Sequence, residues 1–521
     1  MISHSVHRNA DSTRGLDHHD AEVAYPSMPP KEQNGSISGL TSDETESDSR
    51  MEDITFEEVP PIGLAWDGPG DPGNPLNWPA SKRRMHIITI AFYTLITNLA
   101  STMFAPAATQ LASEFHITDS TVVSLAVSIF VLGFALGPLL LAPLSELYGR
   151  LPVYIASGVG FIAFLFGSAF ATDIGSFIAF RLLCGCSGAA PLAIGLGSLA
   201  DITPPKDRVK WMGLFILGPM LGPVIGPIAG GFISENIGWR WAFRVLLIAS
   251  GVAAFMCFFW LRETYAPVIL RHRAERRKKG LSGNAAIMPP GEAVISRLFH
   301  DMTRPMRLLI FSPIVLFLSL YAAFAFGLMF LLFTTFSTVF KKQYGFSTGI
   351  TGLTYLGLGI GVFVGLFTQT VLGQKIVESH TRKRGSTRPE DRLAFMAYVA
   401  PVLPIGLFWY GWSVEARTHW IVPILGNLPV GFGFVSIMMP QMIYLLEIFG
   451  AEAGASAVAA NTVFRSLVGA LLPLAGPTMY ENLGYGWGNS LLAFLAIAFI
   501  PVPWILYLYG DKIRKSRKID I

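Results

Sequence analysis

The sequence predicts an all-α membrane protein with twelve transmembrane helices arranged in two six-helix halves. Three observations support this prediction. Of the 521 residues, 52% are hydrophobic and only 14% are charged, whereas soluble domains carry about 25% charged residues. Twelve apolar runs are each long enough to cross about 30 Å of hydrocarbon. The longest internal polar stretch, residues 263–307, divides these runs six and six, which is typical of membrane proteins built from two repeated halves.

The apolar runs follow one another with mostly short connections. We place them at residues 86–106, 122–142, 151–171, 176–200, 209–233, 241–261, 308–332, 350–373, 393–413, 418–442, 453–477 and 488–510. The predicted organisation is a disordered polar tail over 1–80, a first half over 81–262, a central loop over 263–307, a second half over 308–510 and a basic tail over 511–521. No charged-then-apolar start precedes the first run, so we expect that run to act as its own insertion signal.

Lysine and arginine are distributed unevenly between the predicted loops. The central loop, the loop after the eighth run and the C-terminal tail are strongly basic, whereas the alternate loops hold few basic residues. By the positive-inside rule, both termini and the central loop lie in the cytosol. Basic runs also bind anionic membrane lipids, although topology alone explains this distribution. We expect a plasma-membrane protein, with the vacuolar membrane as the alternative.

Glycine and proline alternate regularly in the fifth apolar run. The glycines recur every four positions, each of the first three is followed by a proline, and one more glycine ends the run: Gly218, Gly222, Gly226 and Gly230, then Pro219, Pro223 and Pro227, and finally Gly231. Within a membrane, such a stripe lets a neighbouring helix approach closely, and nearby groups satisfy the backbone that proline frees. The run is therefore either a tight packing face or a bend in a transporter helix.

A short cytosolic connection joins the second and third runs. It contains Glu146, Gly149 and Arg150, and Gly137 lies earlier in the second run. A glycine permits a sharp turn there, and the two charges can pair across helix ends. Asp201, at the cytosolic end of the fourth run, is a plausible partner for Arg150. The alternative is an ordinary surface ion pair worth about 0–1 kcal/mol.

Two arginines, Arg181 and Arg465, fall within apolar runs, where a charge is costly and marks a candidate functional site. Asn98, Gln441 and Asn461 are uncharged polar residues that also fall within apolar runs, and Asn461 precedes Arg465 by one helical turn. We find no carboxylate at that depth, so a cavity with these side chains suits neutral or weakly acidic lipophiles better than polycations. The alternative is that both arginines bind backbone carbonyls. The apolar runs offer no carboxylate that could carry a proton across the membrane.

Aromatic residues crowd the seventh run and methionines cluster in the tenth. Tyr321, Phe326 and Phe330 are the candidate cavity aromatics. Flexible methionine and aromatic walls suit varied apolar ligands. Packing or lipid contact is the alternative role for each ring.

Four of these stretches resemble motifs of one family. The fifth run is similar to GPxxGPxxGG, the fifth-helix motif of drug:proton antiporters in the major facilitator superfamily. The 137–153 stretch resembles that superfamily's loop motif, with Glu146 where Asp is usual and Leu151 where a second base is common. The stretch from Arg181 resembles RxxqGxgaa, with Cys184 replacing glutamine. Together with the Glu-Thr-Tyr-Ala-Pro run at 263–267, these motifs resemble fungal twelve-span antiporters over residues 70–515.

The resemblance implies the major facilitator fold, alternating access between two halves, and a proton gradient as the driving force without a cofactor. It gives Glu146 and Arg150 a role in latching the halves, and it links Arg181 to proton transfer. The expected function is proton-coupled efflux of small lipophilic compounds such as drugs, toxins or secondary metabolites.

Other functions compete with efflux. A polyamine exporter, an uptake transporter and a non-transporting membrane receptor can all use the same scaffold. An enzyme is not expected, because we find no Walker A run, no nucleophile elbow and no histidine cluster at metal-ligand spacing. The expected partners are a lipophilic small molecule, protons and membrane lipids, without metal or nucleic acid, and the chain is expected to be a monomer.

Overall fold

The structure is a computed structural model that describes residues 66–281 and 305–516. Most of the predicted N-terminal tail, the second part of the central loop and the last five residues lie outside the described residues. Within them, helices form nearly the whole chain. The first six spans consist of Ala80–Thr102 with Ala108–Glu114, Ser120–Tyr148, Arg150–Phe170, Ile174–Gly188 with Ala190–Ile202, Pro205–Ile237 and Arg240–Trp260.

The second half follows the helix Ala266–Leu281 and the gap. Spans 7 to 9 consist of Pro313–Tyr344, then Thr348–Leu353 with Tyr355–Thr368, Gln369–Gly373 and Gln374–Arg384, then Asp391–Val399 with Val402–Glu415. Spans 10 to 12 follow one another as the helical stretches Ile421–Phe499 and Pro501–Ser516. The described residues contain 11 stretches that are long and apolar enough to cross a membrane.

The last of these stretches contains two crossings. Ser456–Arg514 has 59 residues and would extend about 90 Å as one helix, three times the hydrocarbon thickness. Gly484 interrupts it with φ 72° and ψ 177°, a conformation that favours glycine. The Tyr480 hydroxyl then donates to Asn489 Oδ1 at 3.1 Å, although residues nine apart in one helix are separated by about 13 Å. Gly450 separates spans 10 and 11 in the same way. The predicted twelve-span, all-α fold class is confirmed.

Span 7 begins and ends later than predicted. The sequence analysis places it at 308–332, but the helix covers Pro313–Tyr344. It starts there because the Ser312 side chain accepts a hydrogen bond from the Val315 amide. It continues through Thr334 and Thr335 because both hydroxyl groups bond to carbonyls within the helix. Gly345, in the left-handed conformation, ends it.

Residues 66–79, which the sequence analysis assigns to a disordered tail, pack against the helix Ala266–Leu281. Arg273 NH1 and NH2 bind the two Asp71 carboxylate oxygens at 2.6 and 3.1 Å, and the Trp66 ring lies 5.3 Å from the Arg273 guanidinium. Arg271 of the same helix donates to the Leu147 carbonyl at 3.2 Å. This helix therefore connects the N-terminal segment to the turn between spans 2 and 3.

We call the side of the molecule that holds Asp71, Arg150 and Arg514 the terminal face, and the opposite side the far face. Each half has its own hydrophobic core, with Phe161 and Phe243 wholly buried in the first and Leu328 and Tyr410 in the second. Two separately packed cores allow the halves to move as units.

The halves meet through spans 2 and 11 and through spans 5 and 8. Ser128 Oγ donates to the Ala470 carbonyl at 2.9 Å. At the far face, Glu235 Oε2 of span 5 accepts hydrogen bonds from the Gly349 amide at 2.7 Å and from Ser347 Oγ at 3.1 Å, both at the start of span 8. These contacts extend from the far face to about mid-depth, so the far face is closed.

Candidate functional site

Arg465 lies near mid-depth on span 11 and is partly accessible. Its NH1 group lies 3.8 Å from Met438 Sδ, and its Nε has no hydrogen-bond partner. Its guanidinium carbon lies 5.0 Å from the centre of the Phe326 ring. No carboxylate of the described residues forms an ion pair with Arg465. The guanidinium therefore contacts polarisable sulfur and a ring face in place of a counter-ion.

Gln441 of span 10 contacts the same sulfur. Its Nε2 lies 3.8 Å from Met438 Sδ, and its buried Oε1 has no hydrogen-bond partner. Phe330 packs 5.1 Å from Phe326, which continues the apolar wall. We call Phe326, Met438, Gln441 and Arg465 the Arg465 cluster. It combines one cation and one amide with an aromatic and thioether wall.

The Arg465 cluster borders the contact between the halves. Gly469, one helical turn after Arg465, lies against Phe326 of span 7 and against Val131 of span 2 in the other half. The adjacent Ala470 accepts the hydrogen bond from Ser128. A ligand at the Arg465 cluster would therefore lie where rocking of the halves changes its access.

The chemistry of the Arg465 cluster favours a ligand with an acidic or carbonyl oxygen and an apolar body. A guanidinium held in a low-dielectric region without a counter-ion attracts an anion strongly. The unpaired Gln441 oxygen accepts a donor such as a hydroxyl or amide N–H. A polycation would meet repulsion from Arg465 and no compensating carboxylate among the described residues nearby.

Arg181 occupies a different environment from Arg465. It is fully buried, and its NH groups donate to the carbonyls of Ala100 at 2.7 Å, Val127 at 3.2 Å and Ser101 at 3.4 Å. The first helix of span 1 ends at Thr102, so its last carbonyls need partners outside the helix. The guanidinium provides them and connects span 4 to spans 1 and 2. Arg181 thus binds backbone carbonyls, which is the alternative role that the sequence analysis gives for it.

Of the other predicted site residues, two lie away from the Arg465 cluster and one lies beside it. Asn98 donates to the Thr94 carbonyl at 2.8 Å within its own helix. Tyr321 is fully buried and stacks on Phe499 at 5.4 Å. Asn461 is 5% exposed, one turn before Arg465 on the same helix. The structure thus brings together Arg465, Gln441, Phe326 and Phe330, but does not bring Arg181, Asn98 or Tyr321 to them.

The span 5 glycines contact two partners. Gly218, Gly222, Gly226 and Gly230 lie against span 1: an added Cβ at Gly222 would be 2.6 Å from Asn98 Cβ, and one at Gly226 would be 2.5 Å from Thr102 Oγ1. Real Cβ atoms do not approach so closely.

Gly231 turns toward span 8 in the other half, where its Cβ would be 2.8 Å from the Thr348 carbonyl. Pro227 presents its carbonyl to Gly352, and Pro223 lies inside the same continuous helix. Span 5 is therefore packed tightly inside its own half and at the contact between the halves.

The turn between spans 2 and 3 is a charged cluster within the first half. Gly149 has φ 101° and ψ 163° and lets span 3 begin at Arg150 directly after Tyr148. Arg150 Nε lies 3.6 Å from Asp201 Oδ2, and its guanidinium lies 4.8 Å from the Tyr265 ring. Burial, and after it the Glu146 carboxylate, raise the pKa of Tyr265.

Sequence reasoning did not assign a role to Glu263, which organises this turn. Its carboxylate accepts hydrogen bonds from the amides of Arg150 at 2.9 Å and Leu151 at 3.0 Å. A carboxylate at the first amides of span 3 stabilises the helix start. The signal available in the sequence was the Glu-Thr-Tyr-Ala-Pro run directly after span 6. Span 6 ends at the terminal face, where span 3 begins, so this run lies beside the turn. Gly137 lies earlier on span 2, where an added Cβ would be 2.5 Å from the Cys186 carbonyl oxygen on span 4.

Two buried carboxylates at the start of span 9 were also missed. Asp391, 1% exposed, binds Arg384 and lies 3.3 Å from His380 Nδ1. Glu390, 3% exposed, lies 3.7 Å from Arg514 NH2. Their position in a charged loop sequence gave no sign of burial, which arises because span 12 covers them.

An arrangement of two six-span halves that meet beside a membrane-embedded polar cluster is typical of membrane transport proteins. Residues 90–473 match the Major Facilitator Superfamily, and the chain belongs to this family. It is 51% identical over 468 residues to the MFS transporter fsa7 of Fusarium sp. (strain FN080326), which covers 89% of this chain and 92% of the relative. It is 45% identical over 504 residues to the trichosetin biosynthesis cluster MFS transporter of Gibberella fujikuroi, which covers 93% and 98%.

Solved structures share the fold. The xylose transporter XylE from E. coli, in a partially occluded inward-open conformation, matches with a TM-score of 0.62 and 17% identity over 82% of this chain and 98% of that chain. At this identity the likeness shows the fold alone. The predicted superfamily, with fungal relatives, is confirmed, and the family and its relatives are transporters and not enzymes.

Proposed function

We propose that this transporter exports small lipophilic compounds that are neutral or weakly acidic, of the secondary-metabolite type, in exchange for protons. The observation that carries the proposal is Arg465, a membrane-embedded cation that is partly accessible and has no carboxylate partner among the described residues. The relative whose name places it with a biosynthesis cluster supports the metabolite class.

The geometry supports the following cycle. With the terminal face in the cytosol, as the basic loops predict, the closed far face is the outer face. A lipophile reaches the Arg465 cluster from the cytosolic side, and its oxygen meets the guanidinium while its apolar body lies against Phe326 and Phe330. Export then requires that the contacts of Glu235 with Ser347 and Gly349 break and that the inner ends of the halves close.

In this proposal, proton coupling depends on Arg465. An acidic substrate neutralises Arg465 when it binds, a neutral one offers it a carbonyl or hydroxyl oxygen, and in both cases the guanidinium loses that partner when the substrate leaves at the outer face. A proton from the more acidic outer side returns in the same cycle. Glu235 changes its surroundings in that cycle, because its carboxylate holds the halves together in one state and is released to water in the other.

The test is substrate-stimulated proton movement in liposomes that contain the purified full-length chain. A panel of acidic, neutral and polycationic lipophiles is added under an imposed pH gradient. We expect acidic and neutral compounds to dissipate the gradient, and Arg465→Met to reduce this at least tenfold. Arg382→Met replaces an exposed arginine in the last turn of span 8; it is the matched control and retains wild-type flux.

Two results would contradict the proposal. Dissipation by polycations alone would show that the Arg465 cluster does not select the substrate charge. Substrate flux that is unchanged when the pH gradient is collapsed by an ionophore would remove proton coupling while leaving transport in place.

A further inference from the structure

A cavity lies in the first half, on the surface that faces lipid, apart from the Arg465 cluster. It has a volume of about 180 Å³ and is formed by spans 1, 3 and 6. Tyr93, Phe161, Ser250 and Cys257 form its floor and are all buried. Val159, 63% exposed, and Phe258, 66% exposed, lie at its mouth. The cavity therefore opens toward the hydrocarbon and not toward the Arg465 cluster.

The floor of this cavity holds a hydroxyl group without a partner. Tyr93 is 3% exposed, and its hydroxyl makes no hydrogen bond. The hydroxyl groups of Ser157 and Ser250 donate their own protons to the Tyr154 and Leu246 carbonyls. Ser157 lies near the Tyr93 hydroxyl, but neither serine oxygen is in hydrogen-bonding geometry with it. Buried hydroxyl groups nearly always have a partner, so an exception requires an explanation.

The Tyr93 hydroxyl points into open space above Gly158. A Cβ built on Gly158 would lie 3.6 Å from the hydroxyl oxygen, so a larger side chain there would fill the cavity. Hydrocarbon chains offer no acceptor, and no water is available from the lipid side to satisfy the group. A well-aligned partner would therefore come from a molecule that carries its own oxygen into the membrane.

Depth decides between a lipid and a smaller solute. Tyr93 follows Arg84, at the terminal face, by nine residues, or about 14 Å of helix. This is close to the bilayer midplane, whereas the oxygens of phospholipids and sterols lie at the membrane surface. A cavity of this size encloses one aromatic ring, as an engineered cavity of about 150 Å³ encloses benzene, and its open mouth lets the substituents of the ring extend into the bilayer.

We propose that this cavity binds a membrane-dissolved aromatic lipophile with a single hydroxyl group, through a hydrogen bond to Tyr93. The ligand enters sideways from the bilayer between spans 3 and 6. Bound there, it connects span 1, against which the span 5 glycines pack, to spans 3 and 6. The site is separate from the Arg465 cluster and does not depend on the direction of transport or on its coupling.

The experiment uses the full-length chain in phosphatidylcholine nanodiscs without sterol. The probe is a trifluoromethyl-diazirinyl benzyl alcohol, whose adducts are located by mass spectrometry. We expect adducts within residues 154–162 and 250–258. Unlabelled 4-propylphenol should compete about fivefold better than propylbenzene, because only the phenol can form the hydrogen bond.

Four variants test the contribution of each group. Tyr93→Phe should reduce adduct formation about fivefold and make the two competitors equal. Tyr154→Phe removes a hydroxyl that already pairs with Ser198 at 3.2 Å and should leave labelling unchanged. Gly158→Leu should abolish labelling, while Arg465→Met should have no effect on it.

The proposal is overturned if labelling in Tyr93→Phe equals that of the wild type, or if propylbenzene competes as well as propylphenol. It is also overturned if adducts spread evenly over the lipid-facing surface. Because Tyr93→Phe is isosteric, its result decides the question even if Gly158→Leu fails to fold.

Discussion

The two arginines within the membrane should have opposite effects when replaced. Arg181 makes three hydrogen bonds to carbonyls, two of them at 2.7 and 3.2 Å. A hydrogen bond from a charged donor contributes about 1.5–3 kcal/mol, so the two shorter bonds contribute about 3–6 kcal/mol before the cost of burying the charge is subtracted. We expect Arg181→Met to destabilise the protein by about 3–4 kcal/mol, because it also leaves the carbonyls of Ala100 and Val127 unpaired.

Arg465→Met should leave stability unchanged or raise it, because Arg465 makes no hydrogen bond to oxygen and its charge is costly in the membrane. The assay is thermal unfolding of each variant in the same detergent, followed by tryptophan fluorescence. At about 2–4 °C per kcal/mol, Arg181→Met should lower the midpoint by roughly 10 °C. Equal midpoints for both variants, or a lower one for Arg465→Met alone, would refute this assignment of roles.

Three further predictions concern the packing and the faces. Gly226→Val should lower the unfolding midpoint by several degrees because its side chain overlaps span 1, whereas Gly251→Val, with open space around it, should not. Glu235→Ala should widen the distance between spin labels at the far-face ends of spans 5 and 8 and increase the population of the open form a few-fold. Arg273 holds the pKa of Asp71 well below its usual range. This contribution is present above the unfolded pKa, near 4, and is lost only as pH falls through the lower folded value. Protease resistance of the N-terminal segment should therefore persist from pH 7 to pH 4 and be lost at pH 7 in Asp71→Asn; equal cleavage of both would contradict the ion pair.

Composition and hydropathy were sufficient to predict the fold, because the bilayer leaves few alternatives to helices of span length. Ends of spans were harder to predict. Span 7 continues to Tyr344, and the hydroxyl groups of Thr334 and Thr335 bond within the helix, which apolar content does not reveal. Likewise, the tail segment around Asp71 is ordered by Arg273, a partner about 200 positions away in sequence.

The candidate site was predictable in part. A charge is costly within a membrane, and this identified Arg465 and Arg181 as candidates. The sequence could not distinguish a guanidinium bound by carbonyls from one left without oxygen partners. That difference depends on where the first helix of span 1 ends. Glu263 and Glu390 escaped notice because both lie beside loops, where a carboxylate is ordinary until tertiary packing covers it or gives it amides to bind.

The one-residue turns have a consequence for biogenesis. At Gly149, Gly450 and Gly484 the chain reverses between spans with a single residue of positive φ, so no slack separates the two helices that it joins. A tag inserted at one of these turns would therefore displace the ends of two packed helices, and we expect it to lower the amount of folded protein in the membrane before it affected transport.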